Sequence, residues 1–385
     1  SVAPGGDAFF RVDVPEGRDL RLTLEVNGSL RHEVELYAAF GQEVRRNQFA
    51  RSVVVPGADR VLFLPSNDAG THYLLVHNPH TWATTVTLAA AELAYGVTDV
   101  VPARVGHEGP VTLEVRGGRM GAAARVALRA ADGSEVEAVR VQALDPTRLL
   151  ARFELPGVAP GAYDVVVTDT TDAEAVAADA VTVETSTGFR PVVYMQGPGN
   201  TRFGRTGRFT VMAENVGNVS IPHMVVEIMV PQAIRPQITV EGLSRPPLTA
   251  VPEVSTPQVM YNYILQGNAT SIPVWLTELK PGEHHQFSFT MPLLADDDYF
   301  VLHNVIAYSE EEYVAEQVFA AETMREMVLA DSAFIGTPLA ALARTPDDFH
   351  AAYLAALRDL STLIDSTGTL PERLTPRAVP YLLMD

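Results

Sequence analysis

Residues whose types could do chemistry gather in a few short stretches of this chain. In ADDDYF, Asp296, Asp297 and Asp298 place three carboxylates in a row at a turn. Hard oxygen donors of that kind suit calcium. No Asp-x-Asp-x-Asp-Gly loop accompanies them, so solvation of a turn is the simpler reading. His72, His77 and His80 cluster within THYLLVHNPH. On a strand, spacings of five and three send His72 and His77 to opposite faces, which is poor geometry for zinc. Adjacent His284 and His285 point apart for the same reason. Surface histidines or satisfied strand-end ones are therefore expected.

GNTRFGRT, residues 199–206, has a spacing close to a phosphate-binding loop and follows the strand-like PVVYM. Arg205 stands where the lysine would be, however, and GRFTVMAEN alternates like a strand. A phosphate loop needs a helix there, whose N-terminal amides meet the anion, so a connection between strands is expected. Exposed aromatics could form a glycan platform, and Trp82 and Trp275, the latter with Tyr261 and Tyr263, are the candidates. Packing in a core competes with that role, since aromatic residues on strands usually serve it. Neither His-Glu-x-x-His nor Gly-x-Ser-x-Gly occurs. Metallopeptidase and α/β-hydrolase chemistry thus have no foothold, and a non-enzymatic role is expected.

Composition narrows the partners. The 28 basic and 47 acidic residues leave a formal charge of -19. Such a surface repels nucleic acid and anionic membranes, leaving cations, neutral glycans or a basic protein patch. Cysteine is absent, which removes disulfides, thiolate nucleophiles and cysteine-ligated metals. No run approaches the length of a membrane span. The chain opens SVAPGGDAFF without Met, so a processed or excised segment of a larger polypeptide is expected.

The elements that would position these residues are mostly strands. At 385 residues the chain suggests two to four units. From residue 8 to about 92, short alternating runs are separated by Pro, Gly, Asn and Asp, the pattern of an antiparallel sandwich. In LRLTLEV, Leu20, Leu22, Leu24 and Val26 share one face, with Arg21, Thr23 and Glu25 on the other. After the turn-rich YGVTDVVPARVGHEGP the pattern restarts for some 90 residues, an immunoglobulin-like length. A third strand-rich stretch begins near TGFRPVVYMQGPG. A turn followed by a strand recurs in GVAPGAYDVVVTD, LKPGEHHQFSFT and NDAGTHYLLVHN, which reads as a device for closing each sandwich.

The period then changes. SEEEYVAEQVFAAETMREMVLADS offers Ser309 and Glu312 at capping-box spacing, with Val314, Val318, Ala321 and Val328 on one face. TPDDFHAAYLAALRDLSTLIDSTG has Thr345 as N-cap, Pro346 at the first helical position and Gly368 beyond the end. Its stripe is Phe349, Tyr353, Leu357, Leu360 and Ile364.

The strand-rich stretches carry resemblances. GGDAFFRVDVPEGRDLRLTLEV with LPSNDAGTHYLLVHN resembles the bacterial pre-peptidase C-terminal domain. VTDVVPARVGHEGPVTLEVRGGRM with LARFELPGVAPGAYDVVVTD is similar to an IPT/TIG immunoglobulin-like domain. FTVMAENVGNVSIPHMVVEIMVP with ELKPGEHHQFSFTMPL resembles CARDB-type adhesion-like modules, with RPQITVEGLSRPPLTAVPEVSTPQ as an extra insertion. The first resemblance implies a second calcium option near Asp7 and the pair Asn67 and Asp68. Together they imply modules of exported bacterial proteins, hence an extracellular or cell-surface setting.

The expectation is a mainly β chain: three consecutive antiparallel β-sandwich domains of jelly-roll or Ig-like type, followed by a C-terminal α-helical segment. The boundaries are 1–94, 95–186, 187–308 and 309–385. The function expected is a non-catalytic spacer and adhesion-like scaffold that contacts a protein or glycan surface, with further domains on the same polypeptide. The alternatives are an accessory region of a secreted enzyme or toxin whose active part lies elsewhere, and a carbohydrate-binding module. Calcium is the cofactor the carboxylates would take.

Overall fold

A computed structural model describes residues 1–27, 34–46, 48–53, 60–198, 205–231, 237–240, 264–266, 269–292, 302–330, 332, 335–353 and 355. The chain is mainly β, built of antiparallel sheets with helices at the C-terminal end, as the alternation leads one to expect. It divides into two compact units. Unit 1 holds residues 1–103, 113–153 and 161–182, and unit 2 holds residues 104–112, 154–160 and 183–385.

In unit 1 the first strands are β1 (Asp7–Val14), β2 (Asp19–Asn27), β3 (Glu35–Phe40), β4 (Arg51–Val53), β5 (Arg60–Leu64), β6 (Gly70–His77) and β7 (Thr85–Leu93). They form two sheets, ordered β1-β6-β3-β4 and β5-β2-β7. Alternation decides which face is buried. Leu20, Leu22 and Leu24 of β2 meet Leu36 and Ala38 of β3 and Leu74 and Val76 of β6 in one core. Burying such side chains is worth about 1.5–3 kcal/mol each, which drives the sheets together.

Next come β8 (Gly96–Val101), β9 (Arg104–Gly106), β10 (Pro110–Gly118), β11 (Arg125–Arg129), β12 (Glu135–Glu137), β13 (Arg140–Asp145), β14 (Arg148–Glu154), β15 (Gly161–Thr168) and β16 (Glu174–Glu184). The parts of these strands in unit 1 form sheets ordered β13-β14-β10-β8 and β12-β11-β15-β16, while β9 belongs to unit 2. Leu113, Val115, Val126, Leu128, Phe153, Val165 and Val167 are buried between them. Tyr163 is buried too, a packing residue as its place in the alternation implies.

The recurring turn is not one geometry. Gly70 and Gly282 take positive φ, 129° and 73°, whereas Gly161 does not and already belongs to β15. All three nonetheless stand at or just before the start of a strand.

Unit 2 contains β17 (Pro191–Gln196), β18 (Thr206–Asn215), β19 (Ile221–Pro231), β20 (Gln237–Val240), β21 (Ile264–Gln266), β22 (Ala269–Leu279), β23 (His284–Pro292) and β24 (Leu302–Tyr308). Their sheets run β17-β18-β23-β20 and β21-β22-β19-β24 around a core that includes Val211, Ile221, Met224, Val226, Leu276, Phe287 and Phe289. Phe209 and Phe289 stack with centroids 5.0 Å apart.

Helices α1 (Glu310–Ala330) and α2 (Pro338–Leu342) follow, then a helical stretch at 346–353. The Ser309 hydroxyl accepts from the Glu312 amide at 3.2 Å and the Glu312 carboxylate accepts from the Ser309 amide at 2.8 Å, the reciprocal box the spacing predicts. Ser309→Ala should therefore destabilise this end by about 1 kcal/mol, read as reduced helicity and earlier melting.

Ala321, Met324 and Val328 of α1 pack with Leu339, Ala343, Phe349 and Tyr353. The expected stripe needs one correction: Val318 is 47% exposed. The partners in this small core cover only the later turns of α1, so the periodicity continues beyond the surface that buries it. Val314, Leu357, Leu360 and Ile364 lie outside the residues whose side chains are described. No described helix is long and apolar enough to cross a membrane.

Candidate functional site

The sequence candidates are scattered. Asp296, Asp297 and Asp298 lie outside the described residues, as do Tyr261 and Tyr263. Trp275 sits in β22 opposite Val225, and its side chain is not among the described groups. Trp82 belongs to unit 1 and is 46% exposed, not core. Its ring stacks on His80, centroids 4.4 Å apart and 15° from parallel. Asn78, fully buried, holds that loop: its amide nitrogen donates to the carbonyls of Val2, Ala3 and Trp82, and its oxygen accepts from the His80 amide.

The second calcium option does not assemble. Asp7 pairs with His77 at one end of the β1 and β6 ladder, and Val14 pairs with Gly70 at the other. An eight-residue strand separates them by about 24 Å, so Asp7 cannot share an ion with Asn67 and Asp68 beside Gly70. Among the described residues no three His, Asp or Glu side chains are grouped to hold a metal. Residues 199–204 are outside the described part, but β18 begins at Thr206, so a strand and not a helix follows the phosphate-loop spacing.

His72 and His77 do face opposite ways. The His72 ring packs 5.1 Å from Phe40, and its Nε2–H donates to the Asp68 carbonyl at 2.8 Å. His77 lies on the outer face, and a site forms around it. The registers of β1, β6 and β3 put Asp7, His77 and Glu35 on one rung and Phe9, Leu75 and Tyr37 on the next. The outer face of a sheet is ordinarily solvated; here residues 41–46 and 48–50 fold back across it. Two Arg45 and Gln48 backbone hydrogen bonds of 2.9 Å shape that loop. Val44 joins Tyr37, Ala39 and Leu75 in a second small core, and Phe49 packs 5.0 Å from Tyr37.

Between loop and sheet runs a groove of ≈ 440 Å³ lined by Asp7, Phe9, Val44, Arg45, Arg46 and Leu75. His77 stands between two of the residues that line it, Asp7 and Arg46. Its Nδ1 is 2.6 Å from Asp7 Oδ1, and its Nε2 is 3.2 Å from Arg46 Nη1. An ionised carboxylate only accepts and a guanidinium only donates. The tautomer that suits both neighbours carries its proton on Nδ1, toward Asp7, and turns the Nε2 lone pair to Arg46. Nε2, the atom a general base would use, is already taken by Arg46. Beside it the Tyr37 hydroxyl donates to Glu35 at 2.7 Å, and burial, then that carboxylate, hold its pKa well above the usual phenol value. The arrangement can hold and orient a ligand; its imidazole is committed to positioning.

A second cavity in unit 1, of ≈ 160 Å³, is lined by Arg125, Glu135, Glu137, Asp172 and Glu174 among others. Arg125 pairs with Asp172 at 3.4 Å, and Arg129 binds Glu135 and Glu174 at 2.6 and 2.9 Å. Asp172, Glu135 and Glu174 are thus matched by Arg125 and Arg129.

Two buried carboxylates of unit 1, Asp19 and Asp145, tie strands of its first sheets to those of its later ones. Asp19 is fully buried. Its Oδ1 accepts from the Ser66 amide at 2.7 Å and its Oδ2 from the Arg119 amide at 2.6 Å. Arg119 takes φ 56°, left-handed for a residue with a side chain, a conformation that must be held by its surroundings. Glu92 bridges Arg18 and Arg119 at 2.7 and 3.3 Å. Gly118 leaves room for the approach, since a Cβ there would lie 2.5 Å from that of Leu93.

Asp145 is the second tie. It accepts from the Thr147 amide and hydroxyl at 2.8 and 2.5 Å, from Arg148 at 3.0 and 3.1 Å, and from Arg51 at 3.1 Å. Burial would raise its pKa, but the Thr147 hydroxyl, then Arg148 and Arg51, outweigh that and hold the carboxyl below its usual range.

Unit 2 has a comparable knot. Asn215, fully buried, donates to the carbonyls of Val219 and Leu279 at 2.7 and 3.0 Å and accepts from the amides of Arg190 and Gly217 at 3.2 and 3.0 Å. Asn218 accepts from Thr187 and donates to the Thr185 carbonyl. Pro110 and Thr112 join in: the Ser220 amide donates to the Pro110 carbonyl and the Thr112 amide donates to the Ser220 hydroxyl.

His285 of β23, its side chain 9% exposed, has a pKa lowered by burial, with Glu283 at 3.9 Å opposing. A histidine kept neutral in the fold binds fewer protons than the unfolded chain once the pH drops below about 6.5. Unit 2 should therefore lose stability as pH falls from about 6.5, and His285→Gln should flatten that slope in pH-dependent thermal melts.

Alternation along β1 and β6 could have shown Asp7 and His77 side by side once their pairing was known. Arg46, on a loop, carries no such signal. No protein-family model matches the chain, and no curated protein is similar enough to count as a relative.

Proposed function

We propose that this chain is a non-catalytic structural and interaction segment of a larger exported bacterial protein. Its sandwiches serve as spacers held at set angles within a unit, and their outer faces and loops offer contact surfaces. The observation that carries this reading is the pair of buried ties in unit 1, Asp19 with Ser66 and Arg119, and Asp145 with Arg51. A fully desolvated carboxylate that accepts backbone amides from two places is costly to leave unmatched. Strands joined this way resist reorientation, which is what a spacer needs and what a mere tether would not require. The resemblance of its stretches to pre-peptidase, IPT/TIG and CARDB-type modules supports the exported setting.

The reading is tested by the reading frame around the chain. An export signal and further domains on the same polypeptide are expected; a complete frame with neither contradicts it. An accessory region of a secreted enzyme or toxin is the variant in which those further domains carry the activity.

A glycan-binding role is favoured by one observation, the exposed Trp82 ring stacked on His80. Aromatic faces of this kind can receive a sugar ring. On a glycan array this reading requires binding that disappears in Trp82→Ala; silence across the array counts against it.

A further inference from the structure

The groove between β1 and residues 44–46 presents three kinds of group to one ligand. At one end stand Arg45 and Arg46, both exposed. Arg45 keeps a 3.5 Å contact with Glu43, and Arg46 is steered by the lone pair of His77 Nε2. A ring-nitrogen lone pair orients a guanidinium without cancelling its charge and engages one N–H, so the other N–H donors of Arg46 can face an anion. Asp7 lies across the groove. His77 engages its Oδ1, which leaves Oδ2 to accept from a donor. The apolar surface open to a ligand is the Phe9 ring, 59% exposed, while Val44 and Leu75 are buried in the floor beneath it.

The complement of this arrangement is a molecule with a carboxylate, an N–H donor beside it and an apolar side chain. We propose that the groove captures the C-terminal carboxylate of a peptide whose last residue is apolar. The carboxylate meets Arg45 and Arg46, the last peptide N–H faces Asp7, and the last side chain lies against the exposed Phe9 ring. Capture of a free chain end by paired donors is an established mode of peptide recognition, and the volume is in the range of small-ligand sites. On a chain of net charge -19, two adjacent guanidiniums also focus an anion to one place that the rest of the surface repels. His77 is a positioning residue here: it sets Arg46 and Asp7 at once. The inference adds a partner chemistry to the interaction role above and does not depend on the sandwiches being held rigidly.

The test is an NMR titration of the full chain with N-acetyl-phenylalanine and, in parallel, its neutral carboxamide. Saturable shifts are expected at the Arg46 Nε–H and at residues 7–9 and 44–46, with the carboxamide at least about ten-fold weaker, the loss of a charge-assisted bidentate contact. Arg46→Gln should bring the carboxylate down to the carboxamide level, and Phe9→Ala should weaken both probes alike. Arg45→Gln, at an exposed position, gives an independent reading of the same loss. His77→Gln should reduce the preference for the carboxylate while leaving part of the binding to the apolar lining. Equal binding of the two probes, carboxylate binding undiminished in Arg46→Gln and Arg45→Gln, or shifts confined to other surfaces would overturn the proposal. A failure here leaves the spacer reading standing, because that reading is measured by distances within unit 1.

Discussion

Asp145→Ala is expected to cost unit 1 about 3–5 kcal/mol, the range for removing one member of a buried charge pair. Asp145 is 8% exposed, and its loss strands the Arg51 guanidinium, whose side chain is 16% exposed. Burial already pulls the Arg51 pKa down, and Asp145 is the foremost charge offsetting it. Asp68, at 3.8 Å and more exposed, is a weak substitute. Thr147 and Arg148 lose their acceptor as well. Asp145→Asn keeps the shape and an acceptor for Thr147 and should cost about half as much. The sign of the pH dependence follows from the depressed pKa. The stabilisation is complete above the unfolded value near 4 and fades as pH falls through the lower folded value. Wild-type unit 1 should therefore lose stability in acid over a range that Asp145→Ala lacks, seen by comparing urea midpoints at neutral pH and below pH 4.

Asn215→Ala should destabilise unit 2 by about 3–5 kcal/mol, because four backbone groups lose their partner and three of those bonds are buried away from water. Val219 and Leu279 are buried beside it, and the Asn215 backbone itself bonds Glu283 and Gly282. One side chain thus ties the turn at 215–219, the start of β17 and the turn before β23. Asn215→Asp separates shape from hydrogen bonding: it is nearly isosteric but turns a donor into an acceptor facing two carbonyls. It should be at least as damaging as alanine at neutral pH and recover in part on acidification, when the carboxyl regains a proton to donate. A midpoint change below 1 kcal/mol for Asn215→Ala in chemical denaturation would mean that the knot is solvated and not structural.

Much of the architecture is legible in local pattern. LRLTLEV buries Leu20, Leu22 and Leu24 just as its alternation implies, because a strand with one buried face must repeat every second residue. Ser309 and Glu312 form their cap because all its parts lie within one turn. The ties are another matter. DPT announces an Asp-headed turn at Asp145, yet its partner Arg51 is 94 residues away, brought near by sheet order and not by spacing. Asp19 looks like any polar residue opening a strand, and nothing near it says that Arg119 will donate to it. The groove is hidden for the same reason. Asp7 and His77 become neighbours through the register of β1 and β6, and Arg46 arrives on a loop that crosses the outer face. Val318 shows the converse limit: helical periodicity extends past the partners that would bury it.

In the proposed spacer role, the strands of unit 1 tied by Asp19 and Asp145 move as one body. Because the sequence contains no cysteine, Thr87→Cys and Glu137→Cys place two unique spin labels at exposed positions of β7 and β12. Double electron–electron resonance on this pair should give a single narrow distance distribution, which broadens when Asp145→Ala and Asp19→Ala are added. A broad distribution with Asp19 and Asp145 both intact, unchanged by either replacement, would contradict the account.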